Sequence, residues 1–71
     1  MASTQEMIQA LKGVLKRKKI RYVDIARALD LSESSVKRLF SIGDMPLSRL
    51  QQICEIASLD IAELALEALE N

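Results

Sequence analysis

The segment from Glu33 to Arg38 concentrates side chains suited to hydrogen bonding with an extended polar surface. Ser34 and Ser35 are short and let such a surface approach closely, whereas Lys37 and Arg38 are long and cationic. An arginine guanidinium can bind a guanine edge through two hydrogen bonds, worth about 1–3 kcal/mol of discrimination between bases. Serine can hydrogen-bond bases or phosphates, and Lys37 suits a phosphate better. The segment therefore predicts contacts with both the bases and the backbone of DNA.

Glu33, at the start of this segment, is open to two interpretations. Its carboxylate can accept a hydrogen bond from a cytosine amino group. Alternatively, it serves only the helix, because Ser32 is a favoured N-cap residue and negative charge is favourable in the turn that follows. Both interpretations require a helix that begins at Glu33.

Two short helices joined by a tight turn are predicted in the middle of the chain, over about 22–29 and 33–41. Apolar residues recur on each at helical spacing: Ile25, Ala26 and Leu29 on the first, and Val36, Leu39 and Phe40 on the second. Asp30 must reverse the chain between them, and aspartate tolerates the left-handed conformation better than most residues other than glycine. Ala26 is small enough to let the helices cross closely. The pattern predicts a helix-turn-helix whose second helix lies in the major groove.

Helical periodicity continues on both sides of this unit, and the alternation typical of strands is absent. A first helix is expected from about Thr4 to Lys18, a fourth from near Pro46 and a fifth after a cap at Asp60. The fourth helix carries an apolar stripe, which comprises Leu47, Leu50, Ile53, Cys54 and Ala57. With 71 residues and 49% apolar content, the chain is predicted to form a single domain, an all-α, compact five-helix bundle.

The composition excludes several classes of function. The sequence contains no histidine and one cysteine, Cys54, so it offers neither a zinc site nor an internal disulfide. It has no glycine-rich phosphate loop and no nucleophile beside a base, so neither enzymatic activity nor a cofactor is expected. No apolar run approaches the ~20 residues of a membrane span. A lone cysteine on an apolar stripe predicts a small core residue. Because one cysteine cannot form an internal disulfide, the protein is also expected in the reducing cytoplasm.

The net charge of zero hides a strongly polarised chain. Residues 1–49 contain all ten Lys and Arg and five acids, a net +5, whereas residues 50–71 contain five acids and no basic residue, a net −5. The first part can therefore present a basic face to a polyanion. Some of this charge lies in a basic run at the end of the first helix, where it either complements the helix dipole or contacts phosphate. Arg17 and Lys19 are the candidates for phosphate contact in this run.

Several of these positions resemble the helix-turn-helix family of phage lambda repressor and Cro, which includes many bacterial transcriptional regulators. The resemblance spans roughly residues 8–69 and is most specific at Ile25, Ala26, Leu29, Leu31, Ser32, Val36 and Leu39, followed by Pro46, Leu47 and Leu50. It implies the lambda-repressor-like five-helix fold, with the helix-turn-helix at helices 2 and 3. It also implies a regulator that binds double-stranded DNA.

The resemblance implies roles for individual residues as well. Base reading maps onto Glu33, Ser34, Ser35 and Arg38, and phosphate contact maps onto Tyr22, Ser41, Ser48 and Arg49, in addition to Lys37 and the basic run. Three positions depart from the family pattern. Tyr22 stands where glutamine is usual, Asp30 where glycine is usual, and Lys19 where the first helix often ends in glycine.

The fifth helix has a wider apolar surface than one core contact requires. Its core side is expected to comprise Ile61, Leu64, Ala65 and Ala68, and a second apolar group comprises Ala62, Leu66 and Leu69. The second group is either incidental exposure or a contact surface. A contact would serve a homodimer on a palindromic site, or docking of a missing C-terminal region if the chain is the N-terminal part of a longer regulator.

Taken together, these patterns predict sequence-specific binding of double-stranded DNA by a bacterial or phage transcriptional regulator. The alternative is a protein- or RNA-interaction module that uses the same helical fold without reading a DNA sequence. The two hypotheses differ in what they expect of a random DNA duplex. A DNA-binding module should bind it weakly and lose affinity steeply with salt, because phosphate contacts release counterions.

Overall fold

The computed structural model describes residues 3–70, which form five α-helices joined by short turns. In chain order these are α1 (Thr4–Arg17), α2 (Tyr22–Leu29), α3 (Glu33–Ile42), α4 (Leu47–Ile56) and α5 (Ile61–Glu70). No strand occurs among the described residues, and the predicted all-α, five-helix class is confirmed. The bounds of α2 are as predicted, whereas α1 ends one residue early and α3 continues one residue further, to Ile42.

The helix-turn-helix is anchored to the core by the apolar side of α3. Helix α5 packs along α1, α2 packs along α3, and α4 contacts both α2 and α5. Val36 and Phe40 of α3 are almost fully buried, and Leu39 packs half-buried against the same apolar cluster. Ala26 of α2 is 4% exposed, as expected of a small residue where two helices cross. No polar side chain between residues 3 and 70 is buried, so apolar packing alone fixes the position of α3.

The predicted apolar stripe of α4 is wrong at its first residue. Leu47 is 65% exposed, whereas the rest of the stripe is buried: Leu50, Ile53, Cys54 and Ala57. Met45, in the turn before the helix, is only 6% exposed and belongs to the core. Because α4 begins at Leu47, its first turn lies at the margin of the core.

Cys54 is a core residue, as predicted. Its side chain is 1% exposed. Burial, together with the nearby carboxylates of Asp60 and Glu55, raises the pKa of the thiol above its ordinary value. The thiol therefore stays protonated and unreactive in the folded protein.

Three helices end in the same backbone arrangement, although none of them ends in glycine. Lys19, Asp30 and Ser58 have φ angles of 60°, 57° and 55°, which is the left-handed conformation. In each case the next residue is apolar, and its amide donates to the carbonyl five residues earlier. The donors are Ile20, Leu31 and Leu59, and the acceptors are Leu15, Ala26 and Cys54, at 2.8–2.9 Å. This is the Schellman arrangement, and it confirms Asp30 as the left-handed residue of the helix-turn-helix.

Replacing Lys19 with glycine is expected to stabilise the domain by about 0.5–1 kcal/mol. A side chain at this φ costs roughly 1–2 kcal/mol, of which the greater freedom of glycine in the unfolded chain offsets a part. The shift in the urea midpoint measures the gain. Lys19→Ala is the matched control, since it removes the same charge but keeps a side chain at this φ. Equal midpoints for the two variants would contradict the prediction.

Candidate DNA interface

The outward face of α3 is polar along most of its length. Successive residues turn by about 100° around a helix, so the face opposite Val36 and Phe40 can be assigned directly. It consists of exposed residues: Ser34, Ser35, Arg38, Ser41 and Ile42. Lys37 is also exposed, at the edge of this face. Burial of one side of α3 therefore leaves Ser34, Arg38 and Ser41 available to a partner.

The N-terminal turn of α3 is organised by Ser32. Its hydroxyl accepts a hydrogen bond from the amide of Ser35 at 3.1 Å, and the two hydroxyl oxygens lie 2.9 Å apart. Ser35 is exposed, but its side chain already takes part in this cap. Glu33 is exposed in the first turn, where its charge also complements the helix dipole. Of the two serines predicted to read bases, Ser34 is the one whose hydroxyl lies outside the cap.

A shallow hollow separates α3 from the start of α4. Its lining consists of Leu31, Ser35, Arg38, Leu39, Ile42 and Arg49. Half of this lining is apolar, and two arginines supply its charge. The guanidinium of Arg49 donates a hydrogen bond to the side-chain oxygen of Gln52 at 3.2 Å. Of the two predicted phosphate contacts of α4, the structure brings Arg49 into one hollow with Arg38, whereas Ser48 is exposed but does not line it.

Tyr22 joins the start of α2 to the end of α3. Its ring stacks on that of Phe40, with centroids 4.9 Å apart and an angle of 11° between the ring planes. Partial burial raises the pKa of the Tyr22 hydroxyl above its ordinary value of 10.0. The phenol is therefore protonated at neutral pH and can donate a hydrogen bond to a phosphate oxygen. The stack fixes where that donor lies relative to α3.

Four cations surround a second hollow, which Tyr22 also lines. The hollow has an apolar floor of Leu15 and Ile20, and its charged members are Lys12, Lys16, Lys19 and Arg21. The predicted phosphate contacts Tyr22 and Lys19 therefore lie together at this place. Three cations beside them were not predicted as site residues. A signal for two of them exists in the sequence, because Lys12 and Lys16 are four residues apart and lie on one face of the predicted first helix.

The basic run at the end of α1 is divided between different neighbours. Arg17, predicted to contact phosphate, forms an ion pair with Glu67 of α5 at 2.6 Å. Lys18 donates a hydrogen bond to the carbonyl of Ala57 at 2.6 Å, which caps the end of α4. Lys16 and Lys19 line the second hollow instead. The run therefore both supports the packing of α1 and supplies charge to the hollow beside Tyr22.

Helix α5, which packs against α1 and α4, presents an exposed apolar surface. The predicted second group is exposed: Leu66 at 58% and Leu69 at 59%, with Ala62 beside them. On the core side, Leu64 and Ala68 are buried. In the described part of the chain, no helix is long and apolar enough to cross a membrane.

The fold and this interface define a helix-turn-helix DNA-binding domain. Its two helices cross at Ala26, its turn reverses at Asp30, and its second helix is exposed along a polar face flanked by cations. A family model for the Cro/C1-type HTH DNA-binding domain matches residues 10–65, and the chain belongs to this family. No curated protein and no solved structure gave a significant match.

Proposed function

We propose that this domain binds double-stranded DNA sequence-specifically, with α3 in the major groove, as part of a cytoplasmic transcriptional regulator of a bacterium or phage. The observation that carries the proposal is the division of α3 into two sides. Val36 and Phe40 are 0% and 1% exposed, whereas Ser34 and Arg38 opposite them are exposed. A helix that is already fixed by its buried side can place its exposed side against base edges without losing further conformational entropy on binding.

Arg38 is the principal base reader in this proposal. It has no ion pair within residues 3–70, and its guanidinium has the two-pronged geometry that matches O6 and N7 of guanine. Ser34 lies one turn earlier on the same face and can hydrogen-bond a neighbouring base or phosphate. Ser35 lies beside this line, whereas Glu33, in the first turn, lies on the side of Phe40 and suits a cytosine amino group. The reading face is therefore short, as expected for one half-site.

Phosphate contacts on either side of α3 hold the helix in register. On one side of Arg38 stand Ser48 and Arg49 of α4. On the other stands the cluster around Tyr22, which comprises Lys12, Lys16, Lys19 and Arg21. Lys37 and Ser41 lie on the side of α3 nearer this cluster, since Ser41 lines a hollow together with Lys12. Such contacts supply affinity and orientation, whereas base contacts supply specificity. Residues 50–71 contain five acids and no lysine or arginine. Because DNA repels negative charge, this favours an orientation with α5 away from the DNA.

The exposed apolar group on α5 supports a homodimer in this proposal. Leu66 and Leu69 lie on a helix that packs against α1, so pairing through them leaves α3 of each copy free. A two-fold pair of helix-turn-helix domains binds two half-sites about 34–36 Å apart, one helical turn of DNA. Palindromic winners with this spacing, selected from a random pool of duplexes, would support both the reading element and the dimer. Winners with a single unpaired site would contradict the dimer.

Binding to a selected duplex is expected to weaken steeply and linearly on a plot of log affinity against log salt. Each phosphate contact contributes a slope of about −0.9 through counterion release. Lys16→Gln should reduce the slope by about one contact. Arg17→Gln is the matched control on the same helix, because Arg17 is paired with Glu67, and its slope should equal that of the parent. Equal affinity for all duplexes, or binding insensitive to salt, would overturn the proposal and favour an interaction module.

A further inference from the structure

Ile42 is an exposed apolar residue on the face of α3 that otherwise carries polar groups. It is 61% exposed, and it lies one turn beyond Arg38, because residues four apart are neighbours on a helix. The helix must extend to Ile42 for this placement, as it does here. Ile42 is neither buried in the core nor a cap of α3, so neither role accounts for an isoleucine at this position. A serine at this position would be the simpler way to keep the face soluble.

The hollow beside Ile42 lies between a proposed base reader and a proposed phosphate contact. Arg38 and Arg49 supply its charged lining, and Leu31, Leu39 and Ile42 supply its apolar lining. In the major groove, the C5 position of a pyrimidine lies between the hydrogen-bonding edge of the base and its own backbone. Thymine carries a methyl group there, which is the one apolar feature of the groove. A hollow that combines apolar side chains with a proposed base-reading arginine and a proposed phosphate-contacting arginine can receive these groups together.

We propose that this hollow receives the 5-methyl group of a pyrimidine next to the base pair read by Arg38, with Ile42 as the apolar contact. The inference rests on the proposed function, which it makes more specific. Thymine supplies the methyl group in unmodified DNA, and 5-methylcytosine supplies the same group in methylated DNA. Ile42 is then a specificity-determining residue at the end of the reading helix.

Substitution of uracil for single thymines tests this contact, because it deletes the methyl group and leaves every hydrogen-bonding group in place. On a duplex selected by the parent protein, one such change is expected to lower affinity about fourfold, the value for burial of one methyl-sized group. Where the selected base is cytosine, 5-methylation should raise affinity by a similar factor. Affinities are measured by fluorescence anisotropy at fixed salt.

Ile42→Ala assigns the effect to this residue. It is expected to bind the thymine and uracil duplexes equally, with unchanged preference at the base pair read by Arg38. Leu47→Ala is the matched control, since Leu47 is 65% exposed but does not line the hollow, and it should keep the parental ratio. Both residues are exposed, so neither substitution threatens the fold.

The outcomes separate this inference from the proposed function. If the parent binds its selected duplex with steep salt dependence but responds to no loss or gain of a methyl group, the inference is overturned and the proposed function stands. If Ile42→Ala retains the parental preference for thymine, the assignment to Ile42 is likewise overturned. If the parent shows no preference among duplexes, the proposed function fails and the inference falls with it.

Discussion

Replacing Arg38 with alanine is expected to lower affinity for the selected duplex by a factor of about 5–150 and to abolish preference at a single base pair. The factor follows from the 1–3 kcal/mol that a two-pronged arginine–guanine contact contributes. Affinity for random duplex should fall much less, because that binding depends on phosphate contacts. Competition between duplexes that differ at each position in turn measures both effects.

Lys37→Ala is the matched comparison for Arg38→Ala. Lys37 is the adjacent residue on α3, is equally exposed, and lies at the edge of the outward face. Its loss should weaken binding to all sequences alike and reduce the salt slope by about one phosphate contact. If Arg38→Ala weakens all duplexes uniformly while Lys37→Ala changes the base preference, the two roles are reversed. If neither variant changes binding, α3 is not the reading element.

Replacing Phe40 with alanine is expected to leave much of the protein unfolded at room temperature. The side chain is 1% exposed and stacks on Tyr22. Truncation of a buried phenylalanine costs about 3–5 kcal/mol, and the core of a domain this small supplies only about 3–5 kcal/mol in total. The helical signal in far-UV circular dichroism and the urea midpoint measure the loss.

Phe40→Leu distinguishes lost volume from the lost stack. Leucine keeps most of the apolar volume, so we expect a smaller cost of roughly 1–3 kcal/mol, part of which is the 0.5–1.5 kcal/mol of the aromatic pair. This variant should remain folded and bind DNA. A parental urea midpoint for Phe40→Ala would show that Phe40 does not anchor α3, and the rigid presentation of Arg38 would lose its basis.

The helix-turn-helix could be predicted closely because its determinants are local. Asp30 adopts the left-handed turn, Ser32 caps α3, and Ala26 is buried at the crossing. Turn conformation and capping depend on neighbours within a few residues, which the sequence displays directly. Only the family resemblance singled out Lys19, as a residue at a position where glycine is usual, and the structure gives it the left-handed conformation.

One prediction was wrong, and one distinction was not made, where the outcome depends on how helices pack together. Leu47 fits the periodicity of α4, yet it is 65% exposed, and Met45 in the preceding turn is buried in the core. Arg17 and Lys19 belong to one basic run, but the angle between α1 and α5 gives Arg17 a carboxylate partner and leaves Lys19 beside Tyr22. Residue type does not decide whether Leu47 or Met45 is buried, because both are apolar. It does not decide whether Arg17 or Lys19 pairs with a carboxylate either, because both are cations.

The sequence by itself determined five helices, the turn at Asp30 and the exposed polar side of α3, because helical periodicity and capping require only neighbouring residues. Tertiary structure alone decided which cations gather around Tyr22, which are used to hold α1 against α4 and α5, and that Ile42, Arg38 and Arg49 share one hollow. These groupings join residues from different helices. Their positions depend on crossing angles and on the sizes of the buried side chains between them, which no single stretch of sequence specifies.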